Sequence, residues 1–211
     1  MNDNIITNQN YYEFNGIKVE FCFDEESNAY ILEMGEGYSD TLFIPNTING
    51  KPVKSVEFAD WRIGGYDKVV VSEANPHFKA INGVLFTGNM KELVIYPPEK
   101  KDEVYFIPYG VEIIGEDSFG SNKYLKTLIF PYGFKLIVQY ALAGCKNLET
   151  LYLPRTLECV LLKAFYFAES VSKVFFEGTN TEWNNINFTD CNWSLTNAEI
   201  HFDYNYSKIK F

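Results

Sequence analysis

LKTLIFP (residues 125–131) returns as LETLYLP (148–154) and again as VSKVFFE (171–177), each copy 23 residues after the one before. The residues between the copies keep the same register, and the apolar positions that align at this step are Ile114, Ile137 and Val160, followed by Phe119, Leu142 and Phe165. Self-similarity at a fixed period of about 20–50 residues is the signature of a solenoid, in which each repeat is one coil stacked on the next. The stretch from about Asp102 to Glu177 therefore decides the fold.

The spacing of the apolar residues predicts a strand in each copy. In the pattern L-x-x-L-x-L the last two apolar residues are two apart, so that Leu128 and Phe130 point to the same face of an extended chain. A single strand cannot bury that face, whereas strands of stacked coils bury it together and pair into a parallel ladder. A pattern of this kind with a period of about 20–29 residues indicates the leucine-rich repeat class.

The apolar residues between the strands are spaced for a helical turn or a short helix on the return path of each coil. The predicted fold class is therefore an α/β-type solenoid dominated by β structure. It is a leucine-rich repeat with right-handed coils of 23 residues, a parallel strand ladder and short return helices or turns. Caps are expected at both ends, because an uncapped terminal coil would expose the core to water.

The breaks in the period give the predicted organisation of the chain. We expect an N-terminal tail at 1–13, one leucine-rich repeat domain at 14–203 and a second tail at 204–211. Within the domain we expect an N-terminal cap at 14–40, the first coils at 41–74, a hairpin insert at 75–101, the regular repeats at 102–177 and a C-terminal cap at 178–203. Inserts in solenoids often lie on a functional face. A longer coil of the same type is the simpler alternative here.

Composition and charge restrict the classes of partner. The chain has 211 residues and a formal net charge of −10. Nucleic acids and anionic membranes are disfavoured partners, because both are bound through Lys and Arg. No apolar run approaches the roughly 18 residues of a transmembrane span, and the polar start of the chain carries no signal peptide. A cytoplasmic protein or a trimmed one is compatible with that start.

The sequence predicts no metal, no cofactor and no enzyme. Its cysteines and histidines do not have the spacing of a zinc site; they are Cys22, Cys145, Cys159, Cys191, His77 and His201. His201 could approach Cys191, but a partly exposed strand histidine is the simpler interpretation. The acidic run that starts at Asp24 lacks the spacing of a calcium loop and is interpreted as a solvated turn. No phosphate-binding glycine loop occurs.

One face of the predicted strands is the candidate binding site. The residues that alternate with the buried set face outward; they are Thr127, Ile129, Thr150, Tyr152, Lys173 and Phe175. Ile129, Tyr152 and Phe175 align at the 23-residue step into a solvent-facing apolar and aromatic stripe. A surface of this kind usually marks an interaction site. The alternative is that another segment or a second molecule covers the stripe.

The last segment supplies large apolar residues for the C-terminal cap. Trp183 and Trp193 suit the cover that a terminal coil needs. The same tryptophans, together with exposed tyrosines, could instead form an aromatic platform for a sugar. The sequence leaves both interpretations open.

The chain resembles the BspA-like leucine-rich repeat proteins, whose coils follow the pattern IPxxVxxIGxxAFxGCxxLxxVxLP. One copy begins with Ile107-Pro108-Tyr109-Gly110-Val111, and the next contains Ala141-Leu142-Ala143-Gly144-Cys145. The segments Asn82-Gly83-Val84-Leu85-Phe86 and Phe176-Glu177-Gly178-Thr179 are similar to the hairpin insert and the terminal coil of that family. The chain departs from the pattern at three places, which are Val138, Val160-Leu161 and Ala168.

The resemblance implies a bacterial surface or secreted protein that acts in adhesion or protein recognition and carries no catalytic residues. The predicted function is therefore a non-enzymatic binding module with a protein partner. A carbohydrate-binding surface protein that uses exposed aromatic residues is the alternative. The sequence makes no prediction of oligomeric state.

Overall fold

The computed structural model describes residues 4–33, 40–57, 65–205 and 209. The chain divides into two compact units. The first unit is Met1–Lys100 and the second unit is Lys101–Phe211. The second unit contains the predicted 23-residue repeats, and the first contains the predicted N-terminal cap, first coils and insert. The residues outside this description belong to four predicted segments, the N-terminal tail, the N-terminal cap, the first coils and the C-terminal tail.

The described part of the first unit is built of strands. They are β1 (Asn4–Ile5), β2 (Tyr11–Phe14), β3 (Ile17–Asp24), β4 (Ala29–Glu33), β5 (Thr41–Ile44), β6 (Thr47–Ile48), β7 (Lys51–Glu57), β8 (Lys68–Val71), β9 (Phe78–Ile81), β10 (Val84–Thr87) and β11 (Glu92–Ile95). Six of them form a mixed sheet in the order β1-β6-β7-β4-β3-β2. Strands β5 and β8 pair in parallel, and β9, β10 and β11 form an antiparallel meander.

Asn-Gly pairs make three tight turns of this unit. Asn15, Asn49 and Asn82 have φ values of 47°, 49° and 50°, and each is followed by a glycine of positive φ. Two successive left-handed residues match the twist of a two-residue hairpin. The turns therefore join β2 to β3, β6 to β7 and β9 to β10. At the last of them a Cβ on Gly83 would lie 2.8 Å from the Cβ of Lys68, so this site admits only glycine without a shift.

One apolar cluster fills the first unit. It includes the fully buried side chains of Ile17, Leu32, Leu42 and Leu85. The hydroxyl of Tyr12 is also buried and donates to the backbone carbonyl of Phe43 at 2.6 Å. A buried hydroxyl needs such a partner because its desolvation is otherwise uncompensated.

The second unit contains short strands and two short helices. They are β12 (Val104–Phe106), β13 (Ile113–Ile114), β14 (Thr127–Ile129), β15 (Leu136–Ile137), β16 (Thr150–Leu153), β17 (Cys159–Val160), β18 (Lys173–Phe176), α1 (Asn180–Asn184), β19 (Asn187–Phe188), α2 (Trp193–Thr196) and β20 (Glu199–His201). The predicted β-dominated solenoid is confirmed in these coils.

Two parallel ladders run through the coils of the second unit. The strand ladder has the order β12-β14-β16-β18-β20, and the return ladder contains β13, β15, β17 and β19. Leu128 pairs with Leu151, which pairs with Val174, so the predicted register is confirmed. All three side chains are fully buried, as is Ile137 of the return ladder. The two ladders therefore enclose one apolar core.

The return path is a two-residue strand followed by a turn, and the predicted helical alternative is wrong for these coils. The turns contain left-handed residues at two aligned positions in each coil. Asp117, Tyr140 and Lys163 occupy the first position with φ between 50° and 56°. The second position is occupied by Ser121, Gly144 and Phe167, whose φ values are 55°, 72° and 57°. A helix cannot pass through left-handed residues, because L-residues propagate only the right-handed form.

Polar groups also align from coil to coil. Lys126 Nζ lies 2.8 Å from Glu103 on the strand side, and Lys135 Nζ lies 2.9 Å from Glu112 on the return side. Each lysine is 23 residues from its partner. The adjacent carboxylates raise the pKa of both lysines. These exposed pairs fix the charge pattern of the coils and contribute little to stability.

Helix α1 belongs to the C-terminal cap. Thr179 and Glu182 form a capping box at its start: the Glu182 backbone donates to the Thr179 hydroxyl, and the Thr179 backbone donates to the Glu182 carboxylate. Trp183 is buried and its ring packs 5.3 Å from that of Phe176. This tryptophan covers the last coil, as the sequence predicts.

Candidate binding surfaces

The outer positions of the strand ladder align as predicted. Thr127, Thr150, Lys173 and Glu199 form one row of paired residues. Ile129, Tyr152, Phe175 and His201 form a second row in the same register. The second row is the stripe predicted from the sequence, extended by one histidine that the sequence analysis treated separately.

Three rings of this row form the aromatic column, defined here as Tyr152, Phe175 and His201. The rings of Tyr152 and Phe175 lie 4.8 Å apart with an interplanar angle of 12°. Those of Phe175 and His201 lie 4.8 Å apart at 16°. The spacing follows from the parallel ladder, which holds equivalent side chains of adjacent strands about 4.7–4.9 Å apart. All three side chains are half-buried, so one edge of each ring meets solvent.

Tyr204 packs on the aromatic column. Its ring lies 5.2 Å from Tyr152 and 5.0 Å from Phe175. Its backbone N–H donates to the carbonyl of Phe176 at 3.0 Å, so the chain is tied to the last long strand at this point. Burial and the phenol of Tyr204 together raise the pKa of Tyr152. Residue 204, the first residue of the predicted C-terminal tail, therefore covers part of the stripe.

Ile129 departs from the prediction that it faces solvent. Its side chain is only 5% exposed. Its neighbours along the ladder are Phe106 and Tyr152, and their larger rings flank the isoleucine on both sides. Alternation along a strand sets the direction of a side chain, but the size of its neighbours decides how much of it water reaches. The exposed part of the stripe is therefore the aromatic column.

Two further exposed aromatics lie just past the strands. Tyr109 is 84% exposed and Tyr132 is 58% exposed. Both follow a proline and precede a glycine, and they are 23 residues apart, with Arg155 at the next step. Sequence reasoning missed this row, although the same 23-residue spacing could have found it.

The two tryptophans of the C-terminal cap have different environments. Trp183 is 7% exposed, so the structure rules it out as part of a sugar platform. Trp193, the first residue of α2, is 64% exposed. It lines a groove of about 500 Å³ together with Phe167, which is also exposed. Trp193 therefore contributes surface rather than core.

The thiols and imidazoles form no recognisable reactive group in the described part of the chain. Cys145 is buried and free, and burial raises the pKa of its thiol to about 12. His201 stacks on Phe175, and its Nε2 lies 3.3 Å from Glu199. Cys191 lines the groove beside Trp193 instead. Among the described residues no three His, Cys, Asp or Glu side chains are placed to hold a metal ion.

Asp24 caps its own turn. Its carboxylate accepts hydrogen bonds from the backbone N–H groups of Glu26 and Ser27. A hydrogen bond from the side chain of Ser27 makes the largest contribution to lowering its pKa, and the backbone bonds add to it. A solvated turn is thus the arrangement observed for the acidic run. Over the described residues, neither helix is long or apolar enough to cross a membrane.

Comparison with known proteins places the repeats in a family. A family model described as "BspA type Leucine rich repeat region (6 copies)" matches residues 102–210. A search of curated proteins gave no match.

Solved structures with the same kind of repeat are also similar. The pneumococcal vaccine antigen PcpA is 19% identical with a TM-score of 0.42, over 80% of this chain and 55% of that one. A leucine-rich cell surface protein from Faecalibacterium prausnitzii is 18% identical with a TM-score of 0.37, over 70% and 50%. A leucine-rich repeat protein of T. pallidum is 20% identical with a TM-score of 0.41, over 74% and 68%.

This chain spans about half the length of the first two of these proteins. The family model covers more than half of the chain, and the 23-residue register of the paired strands is that of a repeat. The chain belongs to the BspA-type leucine-rich repeat family.

Proposed function

We propose that this chain is a non-enzymatic module that binds a protein partner on the outer face of its strand ladder. The half-exposed aromatic column carries this proposal. Stacked rings offer a large apolar area in a fixed geometry, and tyrosine and other large aromatics are enriched among residues that dominate binding energy. The predicted site residues Thr127, Thr150 and Lys173 lie in the neighbouring row and form its polar surroundings.

The backbone of the ladder makes the column a preorganised surface. Each ring is held by a strand that is hydrogen-bonded on both sides or packed against one that is. A partner that binds these rings therefore costs less conformational entropy than a partner that binds the same rings on a flexible loop. Preorganisation of this kind strengthens binding. Tyr204 covers part of the aromatic column. A partner would therefore either displace the Tyr204 ring or include it in the interface.

The charges around the column favour a protein partner of mixed polarity. Lys173 lies opposite Glu199 at one side of the face, and Lys126 is paired with Glu103 at its edge. A central aromatic patch with a rim of both charges is the usual composition of protein interfaces. Adhesion is the form of binding that membership of the family supports, and a surface or secreted location goes with it.

A capture experiment with two matched double variants tests the proposal. The intact chain and a Tyr152→Ala, Phe175→Ala variant would be immobilised and exposed to extracellular and cell-surface proteins. Affinity for any captured protein would then be measured by calorimetry. We expect the double variant to bind at least about 30-fold more weakly, because it removes two central aromatic contacts.

The control is a Phe167→Ala, Trp193→Ala variant, which removes two aromatic side chains from a different surface of the same unit. It should capture the same protein with unchanged affinity. Both variants must retain the circular dichroism spectrum of the intact chain. Equal affinity of all three proteins for the partner would place its site elsewhere, and equal loss in both variants would indicate non-specific adsorption through aromatic groups.

A further inference from the structure

The groove beside Trp193 is a second concave surface of the C-terminal unit. Its volume is about 500 Å³, and its lining comes from a turn of the last regular coil and from the segment that contains α2. Phe165 and Val171 are buried in its floor, while Trp193 and Phe167 are 64% and 50% exposed. Ligand pockets typically measure about 300–1,000 Å³ and combine apolar walls with a few polar groups.

Neither exposed ring is required to complete the core. Trp183 and Leu195 are the buried residues of the two cap helices. Phe167 has a φ of 57° and occupies the turn position at which the preceding coil has Gly144. A bulky side chain in the left-handed region is an unfavourable choice for a turn. The position is left-handed in all three coils, so the turn sets this backbone conformation, and the Phe167 ring on it is half-exposed and not part of the core.

Glu169, Ser172 and Asn197 supply polar groups at the rim of the groove, whose lining also includes Ser194, a serine that donates to the carbonyl of Phe165. All three side chains are exposed, and none of them makes a hydrogen bond to another described residue. Together they supply carboxylate acceptors, a hydroxyl that both donates and accepts, and an amide that does the same. Such a set matches a ligand that presents several hydroxyl groups.

The charge of the groove argues against an ionic ligand. No Lys or Arg is among its lining residues. Glu169 is its single carboxylate, and Lys163 lies over the ring of the lining residue Tyr166, with Nζ 5.3 Å from the ring centroid. An ion of either sign would therefore meet one attractive and one repulsive charge. A neutral ligand avoids both penalties.

We propose that this groove binds a neutral glycan, one or two pyranose units at a time. One face of a pyranose ring carries C–H groups that are slightly positive, and these stack on the negative face of an aromatic ring. Trp193 and Phe167 provide that stacking surface, while the rim residues bind the hydroxyls. The site is separate from the strand face and does not depend on the proposed protein-binding function.

Fluorescence titration of the full chain tests this proposal. Soluble neutral oligosaccharides of glucose, galactose, mannose and N-acetylglucosamine would be screened on an array and the best binders titrated in solution. Because Trp193 is exposed and Trp183 is buried, a sugar stacked on Trp193 should change the emission spectrum. We expect Trp193→Ala to lose that change and to weaken binding at least tenfold in calorimetry, and Trp193→Phe to retain part of the affinity.

Tyr109→Ala is the matched control, because it removes a ring that is more exposed than Trp193 and lies outside the groove. It should leave sugar binding unchanged. The proposal is overturned if no neutral glycan binds or if Trp193→Ala binds as tightly as the intact chain. Loss of sugar binding with intact protein capture would separate this site from the strand face.

Discussion

The strand ladder and the return ladder of the second unit share one register but differ on their outer sides. The strand ladder has strands of three or four residues, and its outer row contains Tyr152, Phe175 and His201. The return ladder has strands of two residues, and its outer row consists of Ile113, Leu136, Cys159 and Asn187. A longer strand gives each coil two outward positions instead of one. Register thus decides which residues meet, and strand length together with residue type decides whether a binding surface results.

The largest expected effect tests whether the two ladders share one core. Leu151→Ala and Ile137→Ala each truncate a side chain with no exposed surface, one in each ladder. Each variant should lose about 2–5 kcal/mol of the free energy of unfolding, as core truncations do. Urea denaturation followed by circular dichroism measures both. A loss confined to one of the two would show that the ladders are stabilised separately.

The next effect distinguishes the inner from the outer side of the strand ladder. Tyr152→Ala removes a half-exposed ring whose stacking contributes about 0.5–1.5 kcal/mol beyond its buried area. Its loss of stability should therefore be well below that of Leu151→Ala in the same denaturation experiment. If the two adjacent residues gave equal losses, the assignment of Tyr152 to the outer face would be wrong.

A pH-dependent effect is expected on the return side. Burial, with a smaller contribution from Glu116, raises the pKa of Asp117 from 3.8 to about 6. The folded state therefore holds the proton more tightly than the unfolded state does, and stability falls as pH rises from about 4 to about 6. Asp117→Asn removes this loss and also suits the left-handed backbone at the site.

The expected gain of Asp117→Asn at pH 7 is about 1 kcal/mol, after the shift is discounted for the half-exposed position of the carboxyl group. At pH 3.5 the variant and the intact chain should be equally stable, because both side chains are then neutral. Thermal unfolding at the two pH values measures the difference. A gain of the same size at both would assign the effect to the backbone and not to ionisation.

The smallest effect is expected for the ion pairs that flank both ladders. Lys135→Glu would place three carboxylates in one row with Glu112 and Glu158, and Lys126→Glu would do the same on the strand side with Glu103 and Glu149. Each should lower the melting temperature slightly at about 0.02 M salt and not at about 0.5 M, because salt screens exposed charges. A reduction that persists in high salt would reveal a contribution from packing.

Sequence reasoning was strongest where one period governs the chain. The strands, their register and the row of Ile129, Tyr152 and Phe175 could be predicted, because a 23-residue step places equivalent residues on adjacent strands. The exposure of Ile129 could not, since it depends on the rings of the neighbouring strands. The fold of Tyr204 over the column was also inaccessible, because it is a long-range contact without a local pattern.

The first unit could be predicted only where turn chemistry is explicit. Asn-Gly is a turn signal of the two-residue hairpin type, and Asn15-Gly16 and Asn49-Gly50 form the turns between β2 and β3 and between β6 and β7. Strand β9 was not predicted, although Asn82-Gly83 is the same signal, because the break in the repeat period assigned residues 75–101 to an insert. Residues 51–57 lie in the segment predicted as the first coils, and they form β7, which pairs with β4. Such pairings are set by tertiary packing, which overrides weak local preferences.

The repeated backbone connections of the second unit bear on how the gene can change. The N–H of Lys126 donates to the carbonyl of Glu103, that of Glu149 to Lys126 and that of Ser172 to Glu149, so each coil offers the next the same partner. An unequal crossover that adds or removes one in-frame coil leaves every junction of this kind intact. Unequal crossover in such a gene can therefore lengthen or shorten the outer strand face by whole coils, while point mutations at the outer positions change the side chains that this face presents.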